Sequence, residues 1–542
     1  MPRTPLMRAL SGLAQDHRDA DRLGITPEQA RISRRDFLRY SGAAGAAIAG
    51  SSLLLPNVAR ATGTPRIAIV GGGIAGMNAA LTLANAGVAS TVFEASARIG
   101  GRMHSDSPLV YGGDNYFNGQ VAEYCGELID SNHNTIQTLA KQFGLPLDDV
   151  LQAEPNGSTE TYWFLGGYYP YSQASDDFQP VHNTLQGQVQ AAGYPTLYNS
   201  YTAAGQALDQ MSLYQWIENY VPGGHGSKFG RLLDSAYNQE YGADTTDQSA
   251  LNIVYLLGYK AKPGNFQIYG ASDERYHIHG GNQQLPEAIA SYLTSSGLCT
   301  INRNARMNTV ALNSDGSVAL TFDGSRTPQV FDQVILCMSF SVLRTLNYAN
   351  AGFDSLKQTA ITQLGSGRNA KLQLQFDSRY WNTQGPWGLS NGDVYTDIGF
   401  QNTWDVTRAQ AGTTGILVNY TGGSVAGALN PSTPYSNASN NPQVTRYAQQ
   451  FLSQLETVFP GITPHWNGRA ILSTPFLDPN LNCSYSYWRV GQYTQFSGYE
   501  RVAQGPIHFA GEHCSINFQG FMEGGAEEGA RAANEILTLI GK

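Results

Sequence analysis

Glycines at Gly71, Gly73 and Gly76, an acid at Glu94 and arginines at Arg98 and Arg102 have the types and spacing that most directly suggest chemistry. In a G-x-G-x-x-G turn the first glycine permits a tight bend and the second lets backbone approach a pyrophosphate. The third lets a helix pack against a strand. A carboxylate about 20 residues further on accepts hydrogen bonds from a ribose. Such residues act only when particular elements hold them. The β-branched run from Arg66 to Val70 predicts a strand that stops at the glycines. Small residues from Ile74 to Ala86 predict a helix whose N-terminus presents free N–H groups to phosphate. A second strand, Ser90 to Phe93, ends on Glu94. Together these residues predict a dinucleotide site.

Arg98-Ile-Gly-Gly-Arg102 follows directly. A second glycine pair with an arginine brings another stretch of backbone beside the pyrophosphate, which a nicotinamide enzyme does not need and a flavin enzyme does. The far end of the chain offers matching parts. Ile507 to Ala510 predicts a short strand stopping at Gly511-Glu512, and Glu512 is positioned to accept hydrogen bonds from a ribityl chain. Gly520 to Gly525 predicts a turn into a helix reaching Leu539, whose N-terminus would face an electron-rich carbonyl.

The remaining composition narrows the classes. A net charge of −9 with no long Lys/Arg run excludes the basic patches that nucleic-acid binding requires. No stretch reaches the roughly 18 apolar residues of a membrane span, so no stable membrane anchor is expected. Five scattered cysteines with no C-x-x-C or Cys/His spacing give no metal site. Ser33-Arg-Arg-Asp-Phe-Leu-Arg39, a modest apolar segment from Gly42 to Leu55 and Ala59-Arg-Ala61 predict a twin-arginine signal peptide cleaved after Ala61. That route moves folded proteins and predicts a periplasmic or secreted product loaded with cofactor before export.

The glycines Gly71 to Gly76, Glu94, Arg98 to Arg102 and the tail from Gly511 to Ala526 together resemble the flavin-containing amine oxidase superfamily, which includes monoamine, polyamine and L-amino-acid oxidases. The resemblance spans about Arg66 to Leu539. It implies an α/β fold: a Rossmann-like FAD-binding domain built from discontinuous segments, and an α+β substrate-binding domain with a mixed sheet. Residues 1–61 are the signal peptide and a disordered N-terminus; 62–150, 265–345 and 470–542 form the FAD domain; 151–264 and 346–469 form the substrate domain. Tyr276 to Pro286 and Arg303 to Val310 resemble the middle FAD segment, with Met307 beside the adenosine half. Ala370 to Phe376 resembles a substrate-domain strand, and Tyr162 to Tyr171 reads as a hairpin.

The resemblance also implies the chemistry. The α-hydrogen of an amine or amino acid moves, formally as hydride, to FAD. The imine then hydrolyses, and O2 reoxidises the cofactor to give H2O2. FAD is expected to be non-covalent, with Cys483 near the position where monoamine oxidases attach it. Cofactor contacts are expected from Gly71, Gly73, Gly76, Glu94, Arg98, Gly101, Arg102, Met307, Glu512 and Met522. The family's lysine near the flavin maps onto Asn347, and one aromatic wall onto Phe521. The other wall falls in Ser484 to Trp488, where Tyr485, Tyr487 and Trp488 compete; Trp488 joins Asn347, Phe521 and Glu127 as a candidate catalytic residue. Glu127 and Asp130 would attract a cationic amine or cap the following helix, and Arg489 or Arg275 would meet a substrate carboxylate. Expected partners are a small amine or amino acid, O2, the twin-arginine machinery and a second copy of the chain in a homodimer. The competing readings are an FAD desaturase or dehydrogenase with another acceptor and an inactive flavin-fold binding protein.

Overall fold

In the computed structural model, residues 65–113, 115–258, 266–270 and 272–542 are described. The predicted signal segment and its cleavage position lie outside them.

Strands Ile67–Val70 (β1), Ser90–Phe93 (β2), Cys299–Asn302 (β3), Gln333–Leu336 (β4) and Ile507–Phe509 (β5) form a parallel sheet in the order β5-β4-β1-β2-β3. Every residue of β1 is buried, as a continuous apolar run in the middle of a parallel sheet must be. Helix Ile74–Asn85 (α1) follows the glycine turn, and helix Met522–Leu539 (α2) packs across it. The two approach so closely that a Cβ on Gly529 would stand 2.0 Å from the Ala75 carbonyl oxygen. Asn78 Nδ2 donates to the Ala526 carbonyl at 2.7 Å and fixes the crossing. Distant segments thus assemble one Rossmann-like sheet.

A second, eight-stranded sheet runs Tyr435–Asn437, Trp466–Ser473, Asn369–Phe376, Gly415–Gly422, Asn402–Asp405, Ser390–Thr396, Thr159–Phe164, Gly167–Tyr168. It is mixed, because Ser390–Thr396 pairs in parallel with Thr159–Phe164 while the other neighbours are antiparallel. The predicted hairpin turns at Leu165 and Gly166, both with positive φ, as a two-residue turn matching strand twist demands. Strand Asn369–Phe376 governs the site. Leu372, Leu374 and Phe376 pack beneath helix Pro442–Val458. Asn369, Lys371, Gln373 and Gln375 alternate onto the other face, also buried. Their partners are polar groups: Gln373 donates to the Glu123 carbonyl at 3.1 Å and Gln375 to the Phe117 carbonyl at 3.0 Å.

Candidate active site

A cavity of about 330 Å³ runs from the C-terminal ends of β1, β2 and β4 to the polar face of the eight-stranded sheet. At its first end the glycines divide their labour. Gly71 has φ +113°, and a Cβ there would meet the Cys337 backbone at 3.2 Å. A Cβ on Gly76 would lie 1.9 Å from the Gly71 carbonyl oxygen, so this glycine packs the helix under the turn. Gly73 opens into the cavity, with nothing closer than 3.9 Å. Neither α1, capped by Gly73, nor α2, capped by Phe521, has a side-chain N-cap bond. Both helix starts line the cavity, leaving first-turn N–H groups and a positive dipole end for an electron-rich ligand. Gln519, also in the lining, has a buried Nε2 with no partner among the described residues.

Glu94 ends β2 in the cavity wall and accepts from Gly72 N at 2.7 Å and from Ser96 N and Oγ at 2.8 Å. A carboxylate has about four lone-pair sites, so one remains for a ribose hydroxyl. Arg98 donates to the carbonyls of Gly101 (2.7 Å) and Met103 (3.0 Å), fixing the second glycine pair. Arg102 donates to Glu512 Oε1 at 2.8 Å and to the Ser484 carbonyl at 3.0 Å. Gly101, Met307 and Met522 line the same cavity. Glu512 lines it too, with its carboxylate engaged by Arg102, Ser486 N and Oγ, and Gly520 N. Burial opposes its ionisation, but Arg102 prevails and holds it below the usual carboxylate range. Glu512 therefore ties the tail turn to Arg102. The open glycine face, uncapped helix starts, ribose-facing acid and unpartnered amide together fit a flavin dinucleotide.

The other end is built by different segments. Lys371 Nζ pairs with Glu127 Oε2 at 2.6 Å, with side chains 6% and 7% exposed. Trp404 Nε1 donates to Glu127 Oε1 at 2.9 Å, and Lys371 lies 5.4 Å from the Trp404 ring centre. Burial opposes ionisation of Glu127, and Lys371 overrides it, so the carboxyl sits below its ordinary range. Phe521 and Tyr485 supply neighbouring aromatic surface. The Tyr485 ring comes 3.7 Å from where a Cβ on Gly520 would stand, and its hydroxyl contacts that of Tyr420 at 2.9 Å. Beyond them lie two further acids, Glu240 at the end of helix Lys228–Tyr241 and Glu274, which has φ +46°. Burial, with Asp130 nearby, pushes Glu240 up to about 8; burial and Glu240 push Glu274 well above its usual value. Among the described residues neither carboxylate has a hydrogen-bond or ion-pair partner.

Several sequence-predicted residues lie elsewhere. Asn347 is exposed and bonded through its backbone to the edge of strand Met307–Leu312. Val342 and Leu346 still line the cavity, but Asn347 lies outside the lining, and the lysine there comes from strand Asn369–Phe376 instead. Trp488 packs in an apolar core on Tyr493 and Phe496, and Tyr487 turns its hydroxyl to Asp247; Tyr485 is the aromatic that reaches the cavity. Asp130 stays outside the lining, accepting from Ser272 Oγ and Glu274 N, and neither it nor Glu127 caps helix Asn134–Gln142. Arg489 is paired with Asp247 and Arg275 with Asp149, both outside the lining. Cys483 is buried outside it too, its Sγ 3.0 Å from Ser341 Oγ. Sequence reasoning missed Lys371, Trp404, Glu240 and Glu274. Lys371 sits in a strand that alternates polar and apolar residues, so its type and spacing do not set it apart.

Comparison with known proteins bears on the export signal, the fold and the family. Residues 31–51 match the twin-arginine translocation pathway signal sequence, which directs export by that machinery. Among the described residues no helix is long and apolar enough to cross a membrane. A mouse L-amino-acid oxidase is 24% identical over 88% of this chain and 71% of its own length. Cyclohexylamine oxidase from Brevibacterium oxydans superposes with a TM-score of 0.73 at 19% identity, covering 89% of this chain and all of that one. A putrescine oxidase bound to putrescine gives 0.71 at 18% identity, covering 88% and 99%. Residues 74–537 match the model of flavin containing amine oxidoreductases, and the chain belongs to that family.

Proposed function

We propose that the chain is an FAD-dependent oxidase acting on the C–N bond of an amine that bears a second positive charge and lacks an α-carboxylate. Gly71, Gly73, Gly101, the α1 N-terminus and Glu94 would hold the pyrophosphate and ribose, Met307 the adenosine half, and the α2 N-terminus with Met522 the ring end. FAD held there would supply the acceptor for the α-hydrogen with its electron pair, and would be reoxidised by O2, which with two electrons and two protons gives H2O2. The protein's own part is binding, orientation and exclusion of water. Phe521 and Tyr485 offer apolar walls, where desolvation disfavours the ammonium form of the reacting amine and so favours the reactive free base. Lys371 keeps donors for a water beside the flavin, the role that the family's lysine implies.

The observation that supports the substrate reading is the pair of unpartnered acids at the second end. Its lysine is already paired with Glu127, whereas Glu240 and Glu274 have no cationic partner among the described residues. Burial keeps these two carboxyls largely protonated until a cation enters. An entering ammonium would favour their ionised form and pair with it, whereas a substrate carboxylate would find no counterion. A coupled peroxidase assay over α,ω-diamines, monoamines and L-amino acids tests this. Peroxide is expected with diamines first and monoamines second; peroxide with amino acids alone would overturn the reading.

A further inference from the structure

We propose that Glu127 is a positioning residue for Lys371, and that it does not bind the substrate cation. The inference rests on the oxidase reading for what Lys371 does, and on geometry alone for what holds it. Both Glu127 oxygens are engaged: Oε2 takes the Lys371 ammonium at 2.6 Å and Oε1 the Trp404 indole N–H at 2.9 Å. The carboxylate's own backbone is pinned as well. Asn282 Nδ2 donates to the Glu127 carbonyl at 2.7 Å and to the Gly126 carbonyl at 3.0 Å. On the other side Met522 comes within 3.1 Å of where a Cβ on Gly126 would stand. The tail helix, the middle segment and the eight-stranded sheet therefore converge on one carboxylate.

A lysine ends a flexible four-carbon stem with three rotatable donors. The clamp turns that stem into a fixed point. One donor goes to Glu127, and the ammonium has no other hydrogen-bond partner among the described residues, so two donors remain for a ligand in the cavity. Stability does not account for the pair, because a buried ion pair is matched or surpassed by well-packed apolar residues. A defined location for the ammonium does account for it. The contrast with Glu240 and Glu274, acids in the same cavity with no such partner, assigns substrate attraction to those two and orientation to Glu127.

The test is a double-mutant cycle on the holoprotein with Glu127→Gln, Lys371→Met and the pair. Glu127→Gln is expected to lower kcat by about tenfold or more while KM for the amine stays within about twofold, and the double variant to be no slower than Lys371→Met alone. Glu127→Asp should recover part of the loss. A raised KM with unchanged kcat, or losses that multiply in the double variant, would overturn the proposal. Carbamylation of Lys371 by cyanate, followed on its peptide by mass spectrometry, gives a readout independent of activity. Its rate is expected to rise about tenfold in Glu127→Gln, and an unchanged rate would contradict the clamp. If the wild-type holoprotein makes no peroxide with any substrate, the oxidase reading fails while the labelling result still decides the clamp. Should the single variant fold poorly, Glu127→Asp carries the labelling comparison and the charge-free double variant the stability control.

Discussion

The two ends of the cavity are made in opposite ways. The cofactor end is mostly backbone: a local turn of six residues with the acid ending the next strand, joined by two helix N-termini, one of them from the distant tail. The other end is made of side chains brought from seven separated segments, at Glu127, Glu240, Glu274, Lys371, Trp404, Tyr485 and Phe521. A backbone cradle tolerates almost no change at its glycines, because the missing Cβ atoms are its shape. A side-chain wall can be altered one contact at a time, and the proposal puts the substrate preference there. On the proposed reading the first end holds the cofactor and the second selects what reacts with it.

Gly76→Val should break the first end outright, since its Cβ would already overlap the Gly71 carbonyl oxygen at 1.9 Å. Overpacking on that scale costs about 3 kcal/mol, or about a hundredfold in bound cofactor. The ratio of visible flavin absorbance to protein measures it. Gly157→Asn, at a positive-φ glycine with nothing within 4 Å, should leave that ratio unchanged and shows that position matters rather than glycine itself. Next in size, Lys371→Met should keep its flavin yet lose about a hundredfold in kcat, on the scale of removing one preorganised donor, while Asn347→Ala should match wild type.

Those two predictions also mark what was legible in the sequence. Gly71 to Arg102 could be read because every requirement of a dinucleotide turn falls within some 30 residues and leaves a fixed spacing. Lys371 could not, because Asn369–Phe376 alternates polar and apolar residues like an ordinary strand with one face in water. Here the polar face is buried instead against residues 117–127, and only tertiary structure shows it. The resemblance puts Asn347 near the cavity, but its neighbour Leu346 takes the lining position and Asn347 itself is exposed on the edge of strand Met307–Leu312. Trp488 and Tyr485 are three residues apart and differ in fate by backbone direction, which residue type does not encode. Glu240 and Glu274, on a helix end and a loop, carry no spacing signal at all.

Smaller effects sharpen the amine end. Glu240→Gln and Glu274→Gln should each raise KM for a diamine by about tenfold, equivalent to about 1.4 kcal/mol, and leave a monoamine within about twofold. The pH dependence has a definite sign. With its carboxyl at about 8, Glu240 is largely neutral in neutral solution and becomes anionic as pH rises through that value. A substrate ammonium stays charged to about pH 10. KM for a diamine should therefore fall as pH rises from neutrality to about 9, by at most about tenfold, and Glu240→Gln should flatten the fall.

The central claim is that a bound flavin faces an acidic, aromatic pocket that selects cationic amines. Anaerobic mixing of the purified holoprotein with an α,ω-diamine, a monoamine and an L-amino acid, followed by the visible flavin band, tests it most directly. The account expects the band to bleach fastest with the diamine, more slowly with the monoamine, and not with the amino acid. A colourless purified protein, or bleaching by the amino acid alone, would contradict it.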